Sequence, residues 1–296
     1  MSKFLEVLGG KLAERWLGLL LGPSVLLVTV AAVGTTLGQR NWHDTSLLLD
    51  RLDHLAAEPA LRTAGPLVFV LAGLLACSAA LGLSAVALGT LVERLWLARR
   101  PRCCAELRRR RWDAARRDFE RALVEAARAE GTADAAAAAE RARELNARRN
   151  RIGLVPPAHP FWLGDRITAV DTRVWEAYRL DLVSVWPRIW LMLPEDARAE
   201  IGTARTRLAA AARLVVWSAG YLLVGVAWWP AAVAGVVTAL VARRRARVAG
   251  VAFAELAEAA VDLHGRALAE SLGVACEARL TREIGAEITT LLRKHT

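Results

Sequence analysis

The chain has 296 residues, 55% of them apolar, and carries a formal net charge of +10 with a mean hydropathy of +0.28. High charge and high hydropathy together exclude an evenly mixed soluble surface, so the two must be segregated along the chain. Four cysteines without a C-x-x-C exclude a disulfide framework and give no support to a zinc or dithiol redox motif; Cys103 and Cys104 are adjacent.

Residues 1–15 hold Lys3, Lys11 and Arg15, and the first charge-free window follows, Trp16–Gln39, 24 residues long. A bilayer core of roughly 30 Å needs about 20 apolar residues of helix. The window is long for a signal-peptide core, and no small-residue cleavage site follows it, so it reads as an uncleaved first transmembrane helix over 16–39. Gly18 with Gly22, and Gly34 with Gly38, have the spacing that lets helices approach closely. Residues 40–64 read as an external loop, helical in part, with Leu47, Leu48, Leu52 and Leu55 on one face.

The second window, Thr63–Val92, spans 30 residues and predicts one tilted helix over 65–92, with Gly82 and Gly89 on a shared face. Beyond it arginine becomes dense. Residues 93–213 hold 25 basic residues and 243–296 hold nine, against three in 40–62. The positive-inside rule therefore puts 93–207 and 243–296 in the cytoplasm. Arg108, Arg109, Arg110 and Arg111, just past the membrane exit, read as a contact for the anionic inner leaflet rather than for nucleic acid.

Residues 105–150 predict a helical hairpin. Trp112, Ala115, Phe119, Ala122, Ala126 and Ala129 recur at alternating three- and four-residue spacing. Gly131 breaks the seam, Thr132 is placed to cap the second helix, and Ala135, Ala138, Ala142 and Leu145 continue the pattern. The segment 156–196 holds Trp162, Trp175, Trp186 and Trp190. Pro156, Pro157 and Pro160 keep its start extended. Asp165 is placed to cap a helix with Ile167, Val170, Val174 and Ala177 on one face, and Val183, Trp186, Trp190 and Leu193 form a second apolar stripe. Such a stretch is suited to lie along a membrane surface.

The third window, Leu214–Ala242, is 29 residues, and basic residues flank it on both sides. One crossing would strand Arg243, Arg244 and Arg245 outside. Starting at Leu208, with Arg213 snorkelling, the stretch is long enough for two short spans of about 17 residues each. Trp228-Trp229-Pro230 marks the turn, giving spans over 208–228 and 231–242. A re-entrant hairpin and one long kinked helix remain open. In the tail, Leu256, Ala260, Leu263 and Ala267 form one helical stripe, Gly273 ends it, and Leu280, Ile284, Ile288 and Leu291 form another.

The string LGDRITAVDTRVWEAYRLDL…WPRIWLMLP, with a helical hairpin before it and a WWP turn after it, resembles an uncharacterised family of multi-pass inner-membrane proteins of high-GC, actinobacterial-type bacteria. The resemblance implies topology and bacterial plasma-membrane localisation. It carries over no activity and no catalytic residues.

The expected fold is all-α: an integral membrane protein with four transmembrane helices in two hairpins, a cytoplasmic helical domain and both termini inside. The proposed spans hold no Asp, Glu, His or Lys, which argues against a proton-coupled transporter. His159, Asp165, Arg166, Asp171 and Arg173 cluster in sequence, yet no hydrolase, zincin, P-loop or dinucleotide motif accompanies them. The acids and arginines read as caps and salt bridges, such as Glu176 with Arg179. The candidate functional segment comprises Asp165, Arg166, Asp171, Arg173, Trp175, Trp186 and Trp190, with no metal or cofactor expected. The leading expectation is a non-enzymatic anchor, scaffold or signalling component that binds a cytoplasmic protein or a second copy. An oligomeric pore or membrane-perturbing effector, and a membrane-associated enzyme using 156–196, are the alternatives.

Overall fold

The computed structural model describes residues 22–57, 64–277 and 279–293. The N-terminal segment 1–15, the start of the first window at 16–21 with Gly18, and the last residues of the tail, 294–296, lie outside them, as do the side chains of Leu52 and Leu55. The described residues form ten helices and no strand: α1 (Gly22–Leu37), α2 (Thr45–Ala57), α3 (Ala64–Leu97), α4 (Arg102–Arg128), α5 (Ala135–Ile152), α6 (Trp162–Tyr178), α7 (Leu182–Met192), α8 (Glu195–Gly225), α9 (Trp229–Ser271) and α10 (Arg282–Leu292). The chain divides into two compact units, Met1–Glu93 with Ala209–Arg245, and Arg94–Leu208 with Ala246–Thr296.

In the first unit, α1 is built from uncharged residues and ends at Gly38, whose φ of 65° suits the left-handed cap position and whose amide bonds to Gly34 O at 2.9 Å. Asp44 caps α2 by accepting from the amides of Ser46 and Leu47 at 3.1 and 3.3 Å. On α3 the buried positions are Ser78, Gly82, Ala85 and Gly89, a small-residue stripe at helical spacing. A Cβ on Gly89 would meet Arg213 Cγ at 3.0 Å, so α3 and α8 approach closely along that stripe. Trp217 and Tyr221 of α8 pack on Ala85 with Leu27 and Val30 of α1.

The large side chains of α3 point outward: Val68 is 62% exposed, Phe69 80% and Leu83 58%. By length and composition two described helices are long and apolar enough to cross a membrane, Val68–Leu97 and Glu195–Gly225. Only 17% of the apolar window of the first is buried, which separates it from the core helix of a soluble domain. The described part of the first window, Gly22–Leu37, is a shorter apolar helix. The third window divides between two helices at a turn over Val226–Trp228, where the amides of Ala227 and Trp228 both bond to Val224 O at 3.0 Å. Pro230 follows in the first turn of α9, where its missing N–H costs nothing. Gly225 faces Ala232 and Gly235 faces Leu222, each closer than a Cβ would allow, so α8 and α9 are tightly apposed beside the turn.

In the second unit, α4 and α5 form the expected hairpin, with Trp112, Ala115, Ala122 and Ala142 buried along the seam. Gly131 takes a φ of 83° in the connection. Thr132 does not cap α5: Asp134 occupies that position, and Thr132 Oγ1 donates to Ala129 O at 2.7 Å, stabilising the preceding turn instead. The main core gathers Val170 and Val174 of α6, Val185 and Ile189 of α7, Ile201 of α8, Val261 and Leu268 of α9 and Ile288 of α10. On α7 the buried face is therefore Val185 and Ile189, together with Leu193 just beyond the helix. The expected stripe is displaced, and Val183 is 80% exposed. Alternating apolar residues on a short, uniformly apolar helix leave its facing undecided until a partner surface selects one side.

The basic tail is not a separate element at its start. α9 runs unbroken from Trp229 through Arg243–Arg245 to Ser271. Gly273, at φ 78°, ends it as expected, with the amides of Gly273 and Val274 bonding to Glu270 O and Ala269 O, the paired bonds of a Schellman cap.

Candidate functional site

Asp165 occupies the first turn of α6 but does not cap it; Phe161 holds the N-cap position and makes no side-chain bond there. The carboxylate instead turns back to the loop that enters the helix. Its Oδ1 accepts from the amides of Ala158 and His159, both at 2.8 Å, and faces His159 Nδ1 at 3.1 Å. Its Oδ2 accepts from Arg108 Nη1 at 2.5 Å. Arg108 also donates to His159 O at 2.7 Å and to Ile152 O at 3.0 Å. Trp112 Nε1 donates to Gly153 O at 2.8 Å. One arginine and one tryptophan of α4, with one aspartate of α6, thus pin both ends of the loop 153–161. Asp165 and His159 are buried, and Arg108 is mostly covered.

Glycine makes this packing possible. A Cβ at Gly164 would lie 2.6 Å from Trp96 O and 2.9 Å from His159 Cβ. A Cβ at Gly153 would lie 2.9 Å from Val155 O.

The remaining charged members of the segment face α9. Arg166 donates to Glu255 Oε1 at 2.9 Å, and Arg173 pairs with both carboxylate oxygens of Glu258. Tyr178 donates to Asp262 Oδ1 at 2.9 Å. The α6 side chains Arg166, Arg173 and Tyr178 therefore meet a ladder of acids, Glu255, Glu258 and Asp262, spaced for one face of α9. Burial, with the bond to Asp262 second, raises the Tyr178 phenol above its ordinary pKa. Asp171 is not part of the ladder. Burial, and next the neighbouring Asp181 carboxylate, raise its pKa.

Trp175 stacks under the Arg179 guanidinium, 5.4 Å from its ring centroid, so Arg179 is engaged there rather than with Glu176. Trp186 and Trp190 lie 6.1 Å apart and are half-buried against the core. The basic cluster divides. Arg108 turns inward to Asp165 and the loop 153–161, whereas Arg109, Arg110 and Arg111 are exposed on α4, as are Arg243, Arg244 and Arg245 on α9.

The Asp165–His159 pair is held as an acid–base dyad would be, but among the described residues the carboxylate bonds to the loop, to His159 and to Arg108. No hydroxyl or thiol among the described residues bonds to His159. The described residues contain no group of three or more His, Cys, Asp or Glu side chains placed to hold a metal ion. Sequence reasoning grouped His159, Asp165, Arg166, Asp171 and Arg173 by proximity. It missed Arg108, Trp112, Glu255 and Glu258, whose partners lie 41 to 89 residues away. The regular Glu255, Glu258, Asp262 spacing was the one available signal for the ladder.

Comparison with protein-family models, curated proteins and solved structures finds no match to this chain.

Proposed function

We propose that this chain is a four-span plasma-membrane protein with both termini in the cytoplasm, acting as a non-enzymatic anchor or scaffold. Its cytoplasmic helices bind a protein partner or a second copy, and its exposed arginines contact anionic lipid. The observation that carries the membrane part is the outward display of Val68, Phe69, Leu75 and Leu83 around a long helix whose buried stripe is made of small residues. Water would penalise such a surface; lipid does not. The observation that carries the non-enzymatic part is the structural use of the candidate site's charges. Asp165 pairs with Arg108, Arg166 with Glu255 and Arg173 with Glu258, and no hydroxyl or thiol among the described residues bonds to His159.

The four-span topology predicts opposite sidedness at two positions of α9. In a cysteine-free background, Trp229→Cys reacts with an impermeant maleimide added outside, and Arg245→Cys reacts only after the membrane is opened. Outside labelling of Arg245→Cys would falsify the topology. Cross-linking in native membranes tests the scaffold reading. Recovery of a defined partner or of a dimer supports it, whereas a strictly monomeric, partner-free chain sinks it. Ion or dye flux through proteoliposomes would point to a pore instead.

A further inference from the structure

The turn between α8 and α9 divides the uncharged window 214–242 evenly. Trp228 stands at its centre, leaving 14 uncharged residues before it, 214–227, and 14 after it, 229–242. Leu222, Leu223, Val233, Val237 and Leu240 are exposed, so both legs turn apolar side chains outward. At 1.5 Å per residue each leg reaches about 20 Å, against a hydrocarbon core of roughly 30 Å.

Charge fixes both ends of the legs. At the turn, Gln39 holds Gly225 O, Val226 O and the Trp229 amide, and Trp228 Nε1 donates to Trp42 O at 3.4 Å. Exposed Arg40 lies in sequence between these two anchors, so sinking the turn into hydrocarbon would take a charge with it. Trp42 and Trp229 meet edge to face there, ring centroids 4.9 Å apart and both partly exposed, as suits the headgroup layer. At the other end, Arg213 packs against Gly89, one turn before Glu93 closes the uncharged run of α3. Exposed Arg243, Arg244 and Arg245 close the second leg, and α9 is helical straight through them, so that leg does not lengthen by unwinding. The uncharged residues 64–92 of α3, by contrast, make about 42 Å of helix, enough to cross a full core when tilted. The shortfall belongs to the hairpin side alone.

We propose that the hairpin face of this unit takes a locally thinned bilayer of short acyl chains, with Arg243, Arg244 and Arg245 drawing inner-leaflet phosphates toward the outer tryptophans. The proposal rests on the four-span reading and adds the kind of lipid that the spans fit. A guanidinium on a long apolar stem holds phosphate at depth. The tryptophan pair keeps the turn at the outer surface, so the deficit falls on the lipid.

The test reconstitutes the full-length chain in phosphatidylglycerol with myristoleoyl, palmitoleoyl, oleoyl, eicosenoyl or erucoyl chains and measures the thermal unfolding midpoint in each. The expected maximum is in the two shortest, with a steady fall toward erucoyl. The variant Arg243→Leu/Arg244→Leu/Arg245→Leu changes only exposed side chains and extends the second leg to 18 uncharged residues, 229–246. Its maximum should move at least one step toward longer chains. A second measurement needs no variant. Polymer-extracted discs from an equimolar myristoleoyl and erucoyl bilayer should carry about a twofold excess of the short chain around the protein. A flat profile, a maximum at oleoyl or beyond, or discs without that excess overturns the proposal. So does a Val237→Cys disulfide dimer formed in the same bilayers, which would show a second copy covering this face. Sidedness is scored separately by labelling Trp229→Cys and Arg245→Cys, so a flat profile in correctly oriented protein leaves the four-span reading standing.

Discussion

Arg108 and Asp165 stand 57 residues apart in sequence and meet in a 2.5 Å ion pair that fastens α4 to the entry of α6. Each also holds loop backbone, so the pair works as a unit with Ala158, His159 and Ile152. Removing one partner strands the other in a mostly buried place, which in comparable settings costs about 3–5 kcal/mol. Asp165→Ala is expected to lower the thermal midpoint of the purified protein strongly. The double variant Arg108→Met/Asp165→Leu should cost less than the sum of its single changes. Strict additivity in the unfolding midpoints would show that the pair is not coupled.

Gly285 and Gly250 both lack room for a Cβ, but for different reasons. A Cβ on Gly285 would fall 1.8 Å from the backbone oxygen of Tyr178, whereas one on Gly250 would strike the terminal methyl of Leu163. A side-chain tip rotates away; a carbonyl at a helix end does not. Gly285→Ala is therefore expected to cost more than the roughly 1–3 kcal/mol of ordinary overpacking, and Gly250→Ala to stay within it. Equal losses of unfolding midpoint in the two variants would contradict this account of α10 docking.

Asp171 and Asp181 respond to pH in opposite directions. Burial and the nearby Asp181 raise the Asp171 pKa, so the folded state binds this proton more tightly than the unfolded state does. Its contribution is present at low pH and is lost as pH rises through the raised pKa. For Asp181, burial acts upward but is outweighed by the bonds from Arg293 and Ser184, and the pKa is lowered. That contribution is present above the ordinary carboxylate pKa and lost as pH falls through the lowered one. Asp171→Asn should therefore raise the unfolding midpoint at neutral pH while leaving the acid side of the profile intact. Arg293→Ala should weaken the protein at neutral pH and flatten its acid loss. A profile in which both variants move the neutral-pH limb in the same direction would refute the assignment.

Gln39 ties the end of α1 to the α8–α9 turn. Its Nε2 donates to Gly225 O and Val226 O at 3.2 and 2.8 Å, and its Oε1 accepts from the amide of Trp229 at 3.1 Å. Each such bond contributes about 0.5–1.5 kcal/mol. Gln39→Leu is expected to speed hydrogen exchange at the Trp229 amide while leaving exchange in α4 and α5 unchanged. Unaltered exchange at Trp229 would mean that Gln39 does not hold the turn.

Several elements are legible in the sequence because they rest on short-range chemistry. The α4–α5 seam follows from a three- and four-residue alternation of Trp112, Ala115 and Ala122. The stop at Gly273 follows from glycine's access to positive φ. The break before Trp229-Pro230 follows from proline's preference for a helix's first turn. The facing of α7 is not legible, because Val183, Val185, Trp186, Ile189 and Trp190 offer apolar material on every side. The role of Asp165 is misread for a related reason: an aspartate early in a helix is usually a cap, and only the returning loop shows that its acceptors are spent elsewhere.

The sequence by itself determined where charge is excluded, and hence which segments are long apolar helices, because the cost of placing charge in lipid is local and accumulates residue by residue. Only the tertiary structure decided which of four consecutive arginines, Arg108 to Arg111, turns inward. The same holds for the acid that each α6 cation meets, and for Thr289, which donates to Arg179 O across 110 residues. Those choices depend on burial and hydrogen-bond geometry between segments far apart in the chain, and four chemically identical side chains in a row carry no mark of which one the fold will use.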